Sequence, residues 1–152
     1  RLRNAEEMPG PTGESNRLLS VPRGVVLCLG PGTGPVRLQA EAALSAGNAV
    51  VAVTMAAVDA MAGLDAEPGK LDCVDGVLDP RSIIDLDGIS AVMFWGDSQT
   101  AHLLRAALAL RSGPIVPLIL DDDRMFGLRQ ERHICIDTTA AGGNASLLAA
   151  AE

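Results

Sequence analysis

The chain has no tyrosine, one tryptophan and two phenylalanines among its 152 residues. A core with so few rings must be assembled from Ala, Val, Leu and Ile, which suits helices packed closely on a sheet. Cysteine is also scarce: Cys28, Cys73 and Cys135 are an odd number at unrelated spacings, with no CxxC and no Cys/His cluster. That pattern argues against a zinc site and reads as buried free thiols in a reducing compartment. No uncharged apolar run approaches the roughly 20 residues of a membrane span. The charged opening, Arg1 to Glu7, leads into prolines rather than the apolar core of a signal peptide. Basic residues are outnumbered, 12 Lys and Arg against 19 Asp and Glu, for a net charge of −7. Nucleic acid and anionic membranes are therefore poor partners.

What is present is a globular composition, 48% hydrophobic and 20% charged, on a chain of one domain's length. An opening at Arg1 in mid-composition suggests a piece of a longer polypeptide. Residues 1–22, with Pro9-Gly-Pro11, Gly13 and Ser15-Asn16, read as an extended connector. Strand and helix then alternate through a domain spanning 23–136. Val25–Leu29 is apolar on both faces, as a central parallel strand requires. Thr33 as cap and Pro35 at the first position open a helix to Ala46, which Gly47-Asn48 closes. Ala49–Val53, Ser90–Trp95, Ile115–Leu120 and Ile134–Ile136 are further predicted strands, with a short one at Cys73–Val74. Helices are predicted at Ala56–Ala62, at Pro80–Leu86 capped by Asp79, at Ser98–Arg111 capped by Asp97, and at Arg124–Gln130. The order implies an α/β fold: a Rossmann-like, doubly wound, mostly parallel sheet with helices on both faces.

The first strand–helix turn, Gly30-Pro-Gly-Thr-Gly-Pro35, invites a dinucleotide reading. The pattern G-x-G-x-x-G places its third glycine where Pro35 stands, and Pro31 and Pro35 both lack an amide donor. The acid that holds ribose hydroxyls is replaced by Val53-Thr-Met55. Asp121-Asp-Asp123 lies where magnesium could bind, but no second acidic or phosphate-binding cluster supports it. A solvated loop or helix start is the plainer reading. His102 and His133 have no inferable Ser/His/Asp or Cys/His geometry and read as structural. No catalytic set and no metal site emerges.

The end of the chain is unusual. Asp137 to Glu152 carries almost no charge, with two adjacent glycines and a run of Leu and Ala. Such a tail is either disordered or made to be buried, and an extended uncharged segment suits strand addition. Pro9-Gly-Pro-Thr-Gly-Glu-Ser-Asn16 near the start and Thr138-Thr-Ala-Ala-Gly-Gly-Asn-Ala-Ser146 at the end together resemble the C-terminal region of the proline utilization A (PutA) family. These are bifunctional flavin- and NAD-dependent enzymes that oxidise proline to glutamate. The resemblance spans nearly the whole chain, with its specific residues at the two ends.

The resemblance implies a non-catalytic, aldehyde-dehydrogenase-like domain that packs on the aldehyde dehydrogenase module of the same polypeptide. The terminal tail, Thr138, Thr139, Ala140, Ala141, Gly142, Gly143, Asn144, Ala145 and Ser146, is then expected to help seal the substrate-channelling cavity. The parent enzyme is expected to be cytoplasmic and to carry FAD and NAD, this fragment neither. The nucleophilic Cys and general-base Glu motifs of aldehyde dehydrogenases do not match, so Cys28, Cys73 and Cys135 take no catalytic role. The alternative is an autonomous NAD(P)-binding module built on the Gly30–Pro35 loop.

Overall fold

The computed structural model describes residues 5–11, 13–120 and 127–137, and the chain divides into two units. The smaller one contains a three-stranded sheet. Strands β1 (Ala5–Met8) and β2 (Glu14–Pro22) pair antiparallel, with Ala5 opposite Leu19 and Met8 opposite Asn16. The last strand of the chain, Arg129–Asp137, flanks β2 on its other side. Within the stretch expected as a connector, residues 5–8 and 14–22 are thus hydrogen-bonded strands. The Pro- and Gly-rich stretch between them is the turn of a hairpin, closed by the Glu14 amide donating to the Pro11 carbonyl at 3.1 Å.

The larger unit, Pro22–Arg129, has the expected α/β fold, whereas the sequence reading ran the domain from 23 to 136. Its strands are β3 (Val25–Cys28), β4 (Ala49–Thr54), β5 (Leu71–Asp75), β6 (Ile89–Met93) and β7 (Leu118–Ile119). They lie in the order β5-β4-β3-β6-β7, every pair parallel. Helix α1 (Thr33–Ser45) and the short α2 (Ala57–Ala60) follow β3 and β4. A 3-10 helix (Pro80–Asp85) follows β5, and α3 (Ser98–Ala109) follows β6.

Alternation along the strands divides the core into two layers. Val26, Cys28, Val50, Ala52, Ala91 and Met93 meet Val36, Ala40 and Ala43 of α1 on one face. Leu27, Val53, Val92 and Phe94 meet Ala101 and Leu104 of α3 and Ile83 of the 3-10 helix on the other. The alanines of α1 let its backbone come close to the sheet, as the scarcity of rings demands. Each fully buried large side chain, such as Leu27, Ile83 or Leu104, contributes about 1.5–3 kcal/mol.

Helix α1 ends as the sequence suggests. The Asn48 amide donates to the Ala43 carbonyl and the Gly47 amide to that of Leu44, with Gly47 at φ 86°. This is the paired closure that a glycine just past a helix permits. Its start differs from expectation: Gly32 is the capping residue, no side chain caps it, and Thr33 and Pro35 stand inside the first turn. Pro35 is tolerated there because first-turn amides have no intrahelical partner.

Two other elements depart from the sequence reading. Strand β7 has only two residues instead of six, because Pro117 cannot donate to a ladder and Ile115 is 95% exposed. The expected strand at Ile134–Ile136 is real but longer; it is β8 (Arg129–Asp137), and it belongs to the smaller sheet. Gln130 and Arg129, expected in a helix, are already in this strand. Asp121-Asp-Asp123 and the tail from Thr138 onward lie outside the described residues.

Candidate functional site

Strand order reverses between β3 and β6: the chain leaves β3 toward β4 on one side and later returns to pair β6 on the other. In open α/β sheets the crevice beyond the carboxyl ends of such strands is where ligands bind. The Gly30–Pro35 loop occupies that place, and its geometry follows from three features of the sequence.

Gly30 takes φ 89°, a backbone conformation closed to residues with a side chain, and a Cβ there would lie 2.6 Å from the Gly32 nitrogen. The bond from Gly30 to Pro31 is cis. The third feature is Gln39, two turns into α1 and fully buried. The Gly30 amide donates to Gln39 Oε1 at 3.0 Å, and Gln39 Nε2 donates to the Gly30 carbonyl at 2.9 Å. The Trp95 amide donates to the same carbonyl at 2.7 Å. A side-chain amide has closed on the loop's first residue and engages both of its backbone polar groups.

This leaves little with which to hold a pyrophosphate. The Gly30 donor is engaged by Gln39. Pro31 and Pro35 have none, and the Val36 amide donates to the Gly32 carbonyl at 3.2 Å. The amides of Gly32, Thr33 and Gly34, at the start of α1, remain. At the end of β4, where a ribose-binding acid belongs, stands the buried hydroxyl residue Thr54. The nearest carboxylate on the neighbouring strand, Asp75, accepts from the Ala57 amide at 2.6 Å and so serves the start of α2. The ribose side therefore lacks its acid, and the phosphate side is reduced to the three amides at the start of α1.

A cleft of about 530 Å³ nevertheless opens beside the loop. Its walls are largely apolar, from Leu29, Val53, Met55, Val77, Phe94 and Leu104. Gly96 keeps it in shape, because a Cβ there would strike the Phe94 ring at 2.3 Å. Asp97 at the cleft caps α3, accepting from the Thr100 amide at 2.8 Å and from its hydroxyl at 2.9 Å. These bonds, the backbone one foremost, hold its carboxyl below the usual range.

The other residues singled out by sequence are dispersed. His102 is exposed on α3 and His133 exposed on β8. Cys28 is buried in the sheet, where desolvation pushes its thiol well up. Cys73 is half-buried, and its thiol is raised by burial and then by Asp72 and Asp75. Cys135 is exposed, so the expectation of three buried thiols holds only for Cys28. Among the described residues no group of His, Cys, Asp and Glu is placed to hold a metal ion, and no helix is long and apolar enough to cross a membrane. Sequence reasoning missed Gln39. Its sign was a polar amide at an apolar position of the α1 periodicity.

The fold defines a class: a Rossmann-like α/β domain of the aldehyde-dehydrogenase-like kind. An NAD-dependent benzaldehyde dehydrogenase from Corynebacterium glutamicum shares the fold with a TM-score of 0.60 at 21% identity, over 77% of this chain and 28% of that one. Sequence narrows the class to PutA, of which the chain is a domain. Bifunctional protein PutA of Escherichia coli K12 is 32% identical over 150 residues, 93% of this chain. A crystal structure of Bradyrhizobium japonicum PutA matches with a TM-score of 0.63 and 35% identity, over 78% of this chain and 13% of that one. The chain spans only 11% of the length of the Escherichia coli relative. No family model matches it.

Proposed function

We propose that this chain is a non-catalytic, aldehyde-dehydrogenase-like domain of a bifunctional enzyme that converts proline to glutamate. It packs on the aldehyde dehydrogenase module of the same polypeptide, and its tail, Thr138–Ser146, helps seal the cavity through which the intermediate is channelled. FAD and NAD are held by the other modules, and the whole works in the cytoplasm. The observation that carries this reading is the Gln39–Gly30 clasp, which turns the phosphate-binding turn of a Rossmann sheet into a self-satisfied piece of structure. A domain that keeps the sheet and spends the loop's first donor on itself is suited to covering a neighbour.

The test is deletion of residues 137–152 from the full-length bifunctional polypeptide. Coupled turnover of proline to glutamate falls and a lag develops, while the flavin half-reaction is kept. Coupled kinetics identical to the intact enzyme refute the role. The second reading, an autonomous NAD(P)-binding module on the Gly30–Pro35 loop, is favoured by the preserved cleft. Calorimetry of the chain against NAD and NADP separates the two, because stoichiometric tight binding selects the module.

A further inference from the structure

The cleft at the carboxyl edge is more exposed and more apolar than a relic needs to be. Met55 is 65% exposed, Val58 67% and Val77 88%. Single exposed apolar residues are ordinary, but Met55 and Val77 line one cleft together, and Val58 follows Met55 by three residues. The cause is visible in the topology. The crossover from β5 to β6, which in a doubly wound sheet carries a full helix, has here only the six-residue 3-10 helix, and that packs against α3. The edge strand β5 is left with Asp72 and Val74 exposed on the same face.

Among the described residues, the charged groups that line this cleft or adjoin its lining in sequence are mostly acidic. Asp97 is the one charged residue lining the cleft. Asp75 and Asp79 adjoin the lining stretch Gly76–Leu78, Asp59 stands on α2, and Arg81 is the single cation among these flanks. An acidic, apolar mouth repels phosphates and suits the opposite kind of ligand.

We propose that this cleft docks an extended polypeptide segment bearing apolar and basic side chains, with an apolar side chain in the slot beside Phe94 and Leu104 and its cations against Asp75, Asp79 and Asp97. The inference rests on the reading above that the loop has lost its grip on pyrophosphate. A segment of polypeptide is favoured over a small ring compound because a chain can present an apolar side chain to the slot and cations to Asp97 in its lining and to Asp75 and Asp79 beside it.

Fluorescence anisotropy tests this with short labelled peptides of alternating Lys and Leu, their twins of alternating Glu and Leu, and unlabelled adenosine and NAD as competitors. The basic peptide binds at least about tenfold tighter than the acidic one and weakens with salt. The double substitution Val58→Ser with Val77→Ser, both at exposed positions, lowers its affinity about fivefold or more, which general attraction to an acidic protein would not show. Asp97→Asn, which keeps a helix cap, also weakens it. Equal binding of the two twins, or indifference to the Val58 and Val77 changes, overturns the inference. So does adenosine occupying the cleft while the basic peptide ignores it. Binding of NAD through the Gly30–Pro35 loop overturns the proposed function as well, whereas failure of every probe overturns this inference alone.

Discussion

Replacing Gln39 by Leu keeps the volume of the side chain and removes its chemistry, so the clasp on Gly30 can be measured. The Gly30 amide loses its one acceptor in a buried position, while the Gly30 carbonyl keeps the Trp95 amide as a donor. An orphaned buried donor costs about 1–3 kcal/mol, and the lost second bond about 0.5–1.5 kcal/mol more. The sum, about 2–4 kcal/mol, corresponds to a fall in melting temperature of roughly 5–15 °C for a chain of this size. Gln39→Glu is the sharper variant. Its carboxyl can serve Gly30 only when protonated, since it must donate to one group and accept from the other. Its pKa in the folded state is therefore raised above the ~4.3 of an unfolded Glu. Stability of that variant is fullest below about pH 4 and declines as pH rises through the folded pKa. Thermal melts by circular dichroism between acid and neutral pH read both effects. A Gln39→Leu protein melting within about 2 °C of the parent, or a Gln39→Glu protein that grows more stable with rising pH, refutes the reasoning.

Two further outcomes follow from buried groups elsewhere. Asn48 accepts from the Gly24 amide at 3.1 Å and donates to the carbonyls of Ala43 and Leu128 at 3.2 and 3.0 Å, so Asn48→Ala leaves Gly24 and Leu128 without these partners. Chemical denaturation is expected to show a loss of about 2–5 kcal/mol. Cys28 is buried with its thiol raised. A cysteine that ionises more readily unfolded than folded contributes stability that is present below about pH 8.5 and lost as pH rises above it. The alkaline decline in melting temperature is therefore shallower in Cys28→Ala. In the native protein a thiol reagent labels the exposed Cys135 first and Cys28 only on unfolding; early labelling of Cys28 contradicts its burial.

Much of the larger unit was legible in order. Val25–Cys28, Ala49–Thr54 and Ile89–Met93 are apolar on both faces because helices cover both, and that burial is written into unbroken runs of Val, Ala and Leu. Gly47 closing α1 and Asp97 opening α3 were legible because caps act within a few residues of themselves. The weaker elements depended on distant partners. Strand β7 was overextended because an apolar run does not reveal that Pro117 and an exposed Ile115 stop the ladder short. Residues 1–22 looked like a connector because the partner of β2 on its far side, β8, begins more than a hundred residues later.

The candidate site divides the same way. Prolines at 31 and 35 and the missing acid after β4 were visible as letters, since a residue's lack of an amide hydrogen or a carboxylate needs no neighbour. That Gln39 reaches back to clasp Gly30 was not visible, because nine residues of separation become contact only after α1 folds against the sheet.

By itself, the order of residues dictated alternating strands and helices, a core poor in rings and a turn short of phosphate donors, all consequences of local chemistry. The folded chain alone decided which donors that turn still had to offer, which strands joined the second sheet, and where apolar side chains were left bare beside acidic ones. Those outcomes depend on groups far apart in the chain, and only packing brings such groups within hydrogen-bonding distance.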